Sequence, residues 1–447
     1  MIQVRSIRKE MLAILMIMAG AFAALAVTPQ EAVDEFTRRN GISPRSVAVK
    51  ITDLKSGSTL GTHNSGAPLI PASIMKSVTS AALLGEAGPD FRYHTGVYVD
   101  GPLDMGILRG NLVVKGSGDP SLGSVAEPCG TDFIAEITDA MKSMGVHKIE
   151  GDIIIDESAF GGSPRPASWQ PADFSQSYGT GFHAFNFENN ATGRKSVENP
   201  KAGFKSRLKS RLRSSGISID SKDIAGGKQT LVFDHVSPPL DEIMRSCMMR
   251  SDNLFAESML RNYGKLTGGD GSTDDAARRE TALWRKSGLP LNGVTIIDGS
   301  GLSRDNRVTA DFMTAVLTAR SDNPVYASLF PLAGQEGTLK SFLKETPLDG
   351  YIAMKTGSMR GIQCYAGYLL DEDYAPTHTV VIIMNEITGS RDKAKKAAEK
   401  MLLDIFTDHV SSTPADEEPD FEVPADSTSV TDDDLREVIE VVEESLR

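Results

Sequence analysis

Apolar and polar positions alternate across Ser46–Asp53, pause at Lys55-Ser56-Gly57 and resume through Ser58–His63, a pattern that predicts a β-hairpin. Near the other end, Gln363–Leu370 and Thr379–Asn385 predict a second strand pair. A helix follows over Arg391–His409, with Ala394, Ala397, Ala398, Met401, Leu402 and Ile405 at helical period. Strands at both ends with helices between predict one sheet built from the two termini. Between about Phe91 and His235 the extended segments Asn111–Lys115, Asp152–Asp156 and Gln229–Phe233 read as an insertion into that fold. Lys201–Arg213 carries six basic residues and no acidic one, but Phe204, Leu208 and Leu212 recur at i, i+4 and i+8. That spacing predicts a surface helix with a solvated basic face rather than a nucleic-acid site.

The ends of the chain read differently. Arg5, Arg8 and Lys9 precede a 17-residue apolar run, Met11–Val27, closing on Ala24-Leu25-Ala26. This is the pattern of an export signal cleaved after Ala26. The alternative, an uncleaved anchor, falls short of the roughly 20 residues a span needs. From Ser411 onward there are 13 acidic residues against two arginines, so the tail holds −11 of the chain's −13 and the remaining 410 residues only −2. Ser411–Thr431 has a linker's composition, and Leu435, Val438, Ile439, Val442 and Leu446 predict a short amphipathic helix beyond it. The expected organisation is a leader to residue 26, a body in two parts (27–90 and 236–410), an insertion at 91–235 and an acidic tail at 411–447.

Composition excludes several classes. Hydrophobic residues make up 40% and charged residues 24%, which is ordinary globular usage. Cys129, Cys247 and Cys364 leave room for at most one bridge, of undetermined pairing, or for buried thiols. No two of the seven histidines have metal-ligand spacing, so no metal and no cofactor is expected. Lys115-Gly116-Ser117-Gly118-Asp119-Pro120 lacks the third glycine and the following helix of a nucleotide loop.

The chemistry resides in three short motifs. Ser73-Ile74-Met75-Lys76 precedes a helix-compatible run through Leu84, Ser251-Asp252-Asn253 opens another, and Lys355-Thr356-Gly357-Ser358 stands just before the strand at Gln363–Leu370. Singly, each is ordinary: a common spacing, a helix cap, a turn. Together and in this order they are specific. Ser73 and Lys76 share a helix face. A serine hydroxyl needs a base, and a lysine becomes one only when burial and a second cation, here Lys355, push its pKa down. Ser73 at a helix start aims its own N–H at a developing oxyanion. The Ser358 N–H supplies the second donor, and Gly357 admits a substrate backbone.

On these residues the chain resembles the class C, type 4 penicillin-binding proteins, the D-Ala-D-Ala carboxypeptidase/endopeptidase family. The likeness spans most of residues 45–390. It includes Gly116–Leu122, Val236-Ser237-Pro238-Pro239-Leu240, Asp298-Gly299-Ser300-Gly301-Leu302-Ser303-Arg304, Gly337-Thr338-Leu339 and Lys355–Gly361; Ser358 replaces the usual Thr. The 178 residues from Ser73 to Ser251 fit domains inserted between the first two motifs.

The resemblance implies an α/β (α+β) transpeptidase-like fold, an antiparallel sheet flanked by helices with an inserted β-rich region of two lobes, in a periplasmic or envelope protein. It implies a Ser73 acyl-enzyme with Lys76 as base, Ser251 as proton relay, and Asn253 on the substrate amide. Lys355 and Thr356 would hold the terminal carboxylate, with Gly357 and Ser358 completing the substrate-binding strand. Peptidoglycan stem peptides would be the substrate and β-lactams covalent inhibitors. Asp156, in the family-matching stretch Asp156–Phe160, either touches the stem peptide's third residue or merely ends a strand. Tyr178-Gly179-Thr180-Gly181-Phe182-His183 departs from the usually more apolar pattern. The alternatives are a non-catalytic wall-binding scaffold, and a β-lactamase, which needs a deacylating base; Glu257 lies on the Ser251 helix, not on a separate later loop, and does not qualify.

Overall fold

The computed structural model describes residues 27–39, 41–124 and 131–411. The leader, Cys129 and the predicted helix at 435–446 lie outside the described residues.

Helix α1 (Pro29–Arg39) leads into the hairpin β1 (Val47–Asp53) and β2 (Thr59–His63), as the alternation predicts. At the far end β3 (Ile352–Met359), β4 (Ile362–Leu370) and β5 (Pro376–Met384) follow one another. They join the hairpin in one antiparallel sheet of order β3-β4-β5-β1-β2, so the two ends of the chain meet at β5 and β1. The strands read as nearly continuous apolar runs because both faces are covered. Val381 and Ile383 point to one core, and Val380, Ile382 and Met384 to the other. The second core is closed by α1 and by α7 (Arg391–Ser411).

The first core receives α2 (Met75–Ala87), α3 (Leu240–Arg250), α4 (Asn253–Leu266), α5 (Thr273–Lys286) and α6 (Ala310–Thr318). Every residue of α2 from Met75 to Leu84 is buried, so it is a central helix rather than an amphipathic surface one. Ala48, Ala353, Cys364 and Ala366 present a smooth sheet face beneath that core. Cys247 and Cys364 are buried free thiols.

The Lys355 motif sits differently from expectation. It precedes the strand β4, as expected, but is itself part of the edge strand β3, paired residue by residue with β4. Lys355 is buried there against the helical layer, which hides the alternation that would reveal a strand.

Between α2 and α3 the chain builds two small sheets. One runs Thr230–Val236, His94–Val99, Leu112–Lys115, Ile153–Asp156. The other runs Ser218–Ile219, Lys148–Ile149, Ile107–Leu108, Leu103–Asp104. Helices Phe133–Ser143 and Pro200–Ser214 cover them; Phe204, Leu208 and Leu212 are buried, as the spacing predicts. The strands that enter and leave this region pair with each other, His94 opposite Val236.

Candidate active site

Pro71 leads into a 3-10 turn, Ala72–Ile74, that runs directly into α2 and sets Ser73 at the helix entrance. Ala72 has φ +47°, a conformation a non-glycine residue holds only when its surroundings force it. Two glycines permit the crowding here. A Cβ on Gly357 would lie 2.6 Å from the Pro71 carbonyl oxygen and 3.1 Å from the Ser73 nitrogen; one on Gly301 would strike the Ala72 carbonyl. Edge strand β3 can thus run against the backbone of the Ser73 turn.

Lys76 is wholly buried. Its Nζ donates to Ser73 Oγ at 3.1 Å, to Asn253 Oδ1 at 2.6 Å and to the Ser300 carbonyl at 2.8 Å. Burial pushes its pKa down, against the pull of Cys247 and the buried acids Glu257, Asp252 and Asp298. Lys355, equally buried, donates to Ser251 Oγ at 2.9 Å and to the Thr356 carbonyl at 2.9 Å. Its pKa lies well below the ordinary lysine value, first through burial and then through the charge of Lys76. The expected second-cation effect therefore falls on Lys355; burial is what lowers Lys76.

Ser251 stands between α3 and α4 with φ +57°, in left-handed backbone, so the chain turns sharply and brings its hydroxyl to Lys355. Asp252 is the N-cap of α4: its Oδ1 accepts from Phe255 N, and its Oδ2 from Asn189 Nδ2 at 2.9 Å. The capping role of Ser-Asp-Asn and its placement beside Ser73 coexist in one turn. Asn253 is committed at both ends, Oδ1 to Lys76 and Nδ2 to the Tyr178 carbonyl at 2.8 Å.

A cleft of about 370 Å³ opens over these groups, with Ser73, Ser251, Asn253, Ser358, Asp173 and Tyr178 on its walls. Thr356 faces elsewhere. Its hydroxyl shares a 2.7 Å hydrogen bond with Thr338, and it lines a neighbouring cavity with Arg391, whose guanidinium donates to Ser358 Oγ. Asp156 ends its strand, its Oδ1 accepting the Ser158 N–H at 2.9 Å; the Ser158 hydroxyl and then this N–H lower its pKa, and it is not among the residues lining the cleft.

Several contributors are not visible as motifs. Asp298 accepts from Gly301 N, Ser303 N, Asn306 Nδ2 and, from the segment between α2 and α3, Trp169 Nε1 at 2.8 Å. Glu257, one turn along α4 from Asn253, accepts from Ser300 N at 2.8 Å and Gly299 N at 3.3 Å, and so aims the Ser300 carbonyl at Lys76. Burial and the nearby Asp298 push its pKa up to about 8. Trp169 and Phe182 pack on Leu254, and Arg261 of α4 donates to the carbonyls of Gly161 and Ser163. In the sequence only the stretches holding Asp298, Glu257 and Phe182 stand out, and none of them announces these contacts.

The profile of the D-Ala-D-Ala carboxypeptidase 3 (S13) family matches residues 29–203 and 189–406. The chain belongs to that family. It is thus a serine-type D-Ala-D-Ala carboxypeptidase with the fold of the penicillin-binding proteins. Among curated S13-like relatives, Carboxypeptidase DacB of Mycolicibacterium smegmatis is 28% identical over 345 residues, covering 72% of this chain and 73% of the relative. D-alanyl-D-alanine carboxypeptidase DacB of Haemophilus influenzae is 23% identical over 427 residues, covering 77% and 87%. Of solved structures, penicillin binding protein 4 (dacB) from Haemophilus influenzae superposes with a TM-score of 0.70 at 21% identity, over 83% of this chain and 98% of that one. The Bd3459 predatory endopeptidase from Bdellovibrio bacteriovorus, solved with its immunity protein, gives 0.51 at 17% over 82% and 92%. These superpositions bear out the expected transpeptidase-like fold, an antiparallel sheet flanked by helices.

Proposed function

We propose that Ser73 is the nucleophile that attacks the D-Ala-D-Ala end, or the cross-links, of peptidoglycan stem peptides and is acylated by them. The observation that carries the assignment is the buried Lys76 ammonium nitrogen 3.1 Å from Ser73 Oγ, with burial favouring its neutral form. Neutral Lys76 takes the hydroxyl proton as Oγ attacks the peptide carbonyl. The N–H groups of Ser73 and Ser358 hold the oxyanion. The proton returns to the departing D-Ala amine through Ser251, held by Lys355, and water then releases the acyl group from Ser73. Asn253 orients Lys76 through Oδ1 and reaches the substrate amide by exchanging its Tyr178 contact. Lys355 and Thr356 receive the terminal carboxylate beside Gly357, and Arg391 stands next to Ser358 to assist.

Residues 91–235 are proposed as an insertion that selects substrate and does no chemistry. The paired strands at its entry and exit support that boundary. Asp173 and Tyr178 are its groups in the cleft, and Asp156 is left to a substrate longer than the scissile dipeptide. Action on peptidoglycan places the protein outside the cytoplasm, consistent with the export pattern of residues 5–26. β-Lactams are proposed covalent inhibitors, on the analogy of the Haemophilus influenzae protein complexed with a β-lactam and of Bd3459 acylated by penicillin G.

Neither alternative gains an observation. All three motifs are complete, and Glu257 is engaged by two backbone N–H groups rather than free to activate water. The test is labelling with fluorescent penicillin followed by mass spectrometry. The adduct is expected on the peptide containing Ser73 and absent from Ser73→Ala; an adduct elsewhere overturns the assignment.

A further inference from the structure

The segment between α2 and α3 reaches the Ser251-Asp252-Asn253 turn at two points, and only one of them lies in the cleft. There the Tyr178 carbonyl accepts from Asn253. The other point is Asn189, which is not among the residues lining the cleft. Its Nδ2 donates to Asp252 Oδ2 at 2.9 Å, and its Oδ1 accepts the Ser124 hydroxyl at 2.6 Å. Both ends of the amide are thus committed, one of them to the middle residue of a catalytic motif.

The backbone that carries Asn189 is strained. Glu188, Asn189 and Asn190 have φ of +51°, +56° and +47°, three left-handed residues in a row and none of them glycine. L-residues visit that region singly, and a run persists only where its surroundings over-determine it. Here they do. The Glu188 N–H donates to the Leu122 carbonyl at 3.0 Å, and Asn190 Oδ1 accepts the Phe187 N–H at 2.9 Å. Asn190 Nδ2 donates to Asn186 Oδ1 at 2.8 Å and to the Gly181 carbonyl at 2.9 Å. The Asn190 carbonyl accepts the Val197 N–H and the Thr180 hydroxyl, both at 2.8 Å. The bonds to Thr180 and Gly181 tie this turn to the stretch that holds Tyr178, so the two points of contact keep one spacing. None of these braces uses the Asn189 side chain, which is left to face Ser124 and Asp252.

Asp252 stands between the two residues whose placement matters most. Its Oδ1 is spent on the Phe255 N–H at the head of α4, which leaves Oδ2 for Asn189. On one side Ser251 meets Lys355 at 2.9 Å, and on the other Asn253 Oδ1 meets Lys76 at 2.6 Å. A shift at Asp252 therefore moves both lysine contacts together. We propose that Asn189 is a positioning residue for acylation: through Asp252 it holds the turn that sets Ser251 on Lys355 and Asn253 on Lys76. Lying outside the cleft, it acts without touching substrate. The segment between α2 and α3 thereby supports a step that penicillin and peptide share, besides selecting substrate. This inference rests on the Ser73 reading and extends it to the residue that steadies the second motif.

The test is a reciprocal exchange in the full chain. Asn189→Asp keeps the size, the acceptor for Ser124 and a residue type that tolerates left-handed backbone, but it sets a second carboxylate against Asp252. Adding Asp252→Asn restores one donor–acceptor pair in the opposite sense, and asparagine still caps α4. Penicillin acylation rate, and kcat and KM for a linear D-Ala-D-Ala peptide, are measured for each, with circular dichroism as the check on folding. Asn189→Asp is expected to lower the acylation rate and the peptide kcat alike, about fivefold, with KM little changed, and the double variant to recover most of both. A general loss of packing would not be recovered by a second change at that one partner. Should Asn189→Asp not fold, Asn189→Gly suits the turn and removes the side chain, with the same paired losses expected. No loss of acylation, a loss confined to the peptide, or no recovery in the double variant would each overturn the inference. Failure of the unmodified protein to acylate at Ser73 would instead strike the functional reading beneath it.

Discussion

Two cationic clusters lie side by side in this molecule and behave in opposite ways. Around Ser73 the cations are Lys76 and Lys355, both fully buried, each bonded only to hydroxyls, a side-chain amide oxygen and carbonyls. In an adjoining cavity of about 680 Å³ they are Arg45, Arg304, Arg307 and Arg360, with Arg45 and Arg360 exposed to water. Burial penalises charge, and an ammonium responds by giving up its proton, which is what a general base requires. A guanidinium does not release its proton at any ordinary pH, so the same sign of charge persists there. Residue type and solvation together, rather than net charge, decide which cations can serve as a base.

The largest expected effect follows from exchanging one type for the other. Lys76→Arg keeps the charge but removes the base, and acylation by fluorescent penicillin should fall by about 10²–10⁴-fold. Circular dichroism should show an intact fold. Near-normal acylation would mean that another group takes the Ser73 proton. The unmodified protein carries a matching pH signature. Because only neutral Lys76 accepts the proton, the acylation rate should rise with pH through the Lys76 pKa and then level off. With that pKa lowered by burial, the plateau should begin below the pH at which an ordinary lysine would reach it. A rate still climbing through pH 10 would contradict the lowering.

A smaller effect is expected where the cleft meets the neighbouring cavity. The Thr356 hydroxyl is bonded to Thr338 in the cavity that also holds Arg391. Thr356→Val should cost about tenfold on peptides with a free C-terminal carboxylate, the loss of a hydrogen bond to a charged group. It should cost much less on neutral esters. Equal losses on both would remove the carboxylate role.

Weaker still should be the contribution of the insertion. Asp173 accepts a 2.9 Å hydrogen bond from the Tyr178 hydroxyl on the cleft wall, whereas Asp156 lies outside the cleft lining. Asp173→Ala should change peptide kcat/KM several-fold with penicillin acylation retained. Asp156→Ala should change it less, and the reverse ranking would restore Asp156 as the principal contact.

This gradation mirrors what was legible in the chain. The helix-start serine, its lysine one turn on, the cap at Asp252 and the sheet from both termini follow from periodicity and short-range rules, and all appear in the fold. The placement of Lys355 inside a strand did not, because a strand buried on both faces loses its alternation. The Ser300 carbonyl on Lys76 and the Tyr178 carbonyl on Asn253 are backbone groups, whose positions no residue identity announces. Asp173 and Trp169 come from irregular segments placed by packing on α4, a long-range effect without a local pattern.

The last and smallest effect on catalysis tests the rule beneath the comparison, that burial removes charge whichever its sign. Glu280 of α5 is fully buried, and neither carboxylate oxygen has a hydrogen-bond partner among the described residues. The Trp284 indole N–H lies close enough to favour the charge slightly without completing a bond. Burial, and then the charge of Glu257, push its pKa from about 4.5 up to about 8. The folded state therefore holds a proton that the unfolded chain releases once the pH passes 4.5. Stability should fall as pH rises from about 4.5 to about 8, and the whole penalty should be present above that. Glu280→Gln stays neutral throughout and escapes it. Denaturant melts should find the variant no more stable than the parent at pH 4, and more stable by roughly 2–4 kcal/mol at pH 8. Penicillin acylation should be unchanged at pH 7, since Glu280 does not touch the cleft. A stability difference that does not grow with pH would show that Glu280 is solvated or paired in solution, and that burial on this helix does not discharge its side chains.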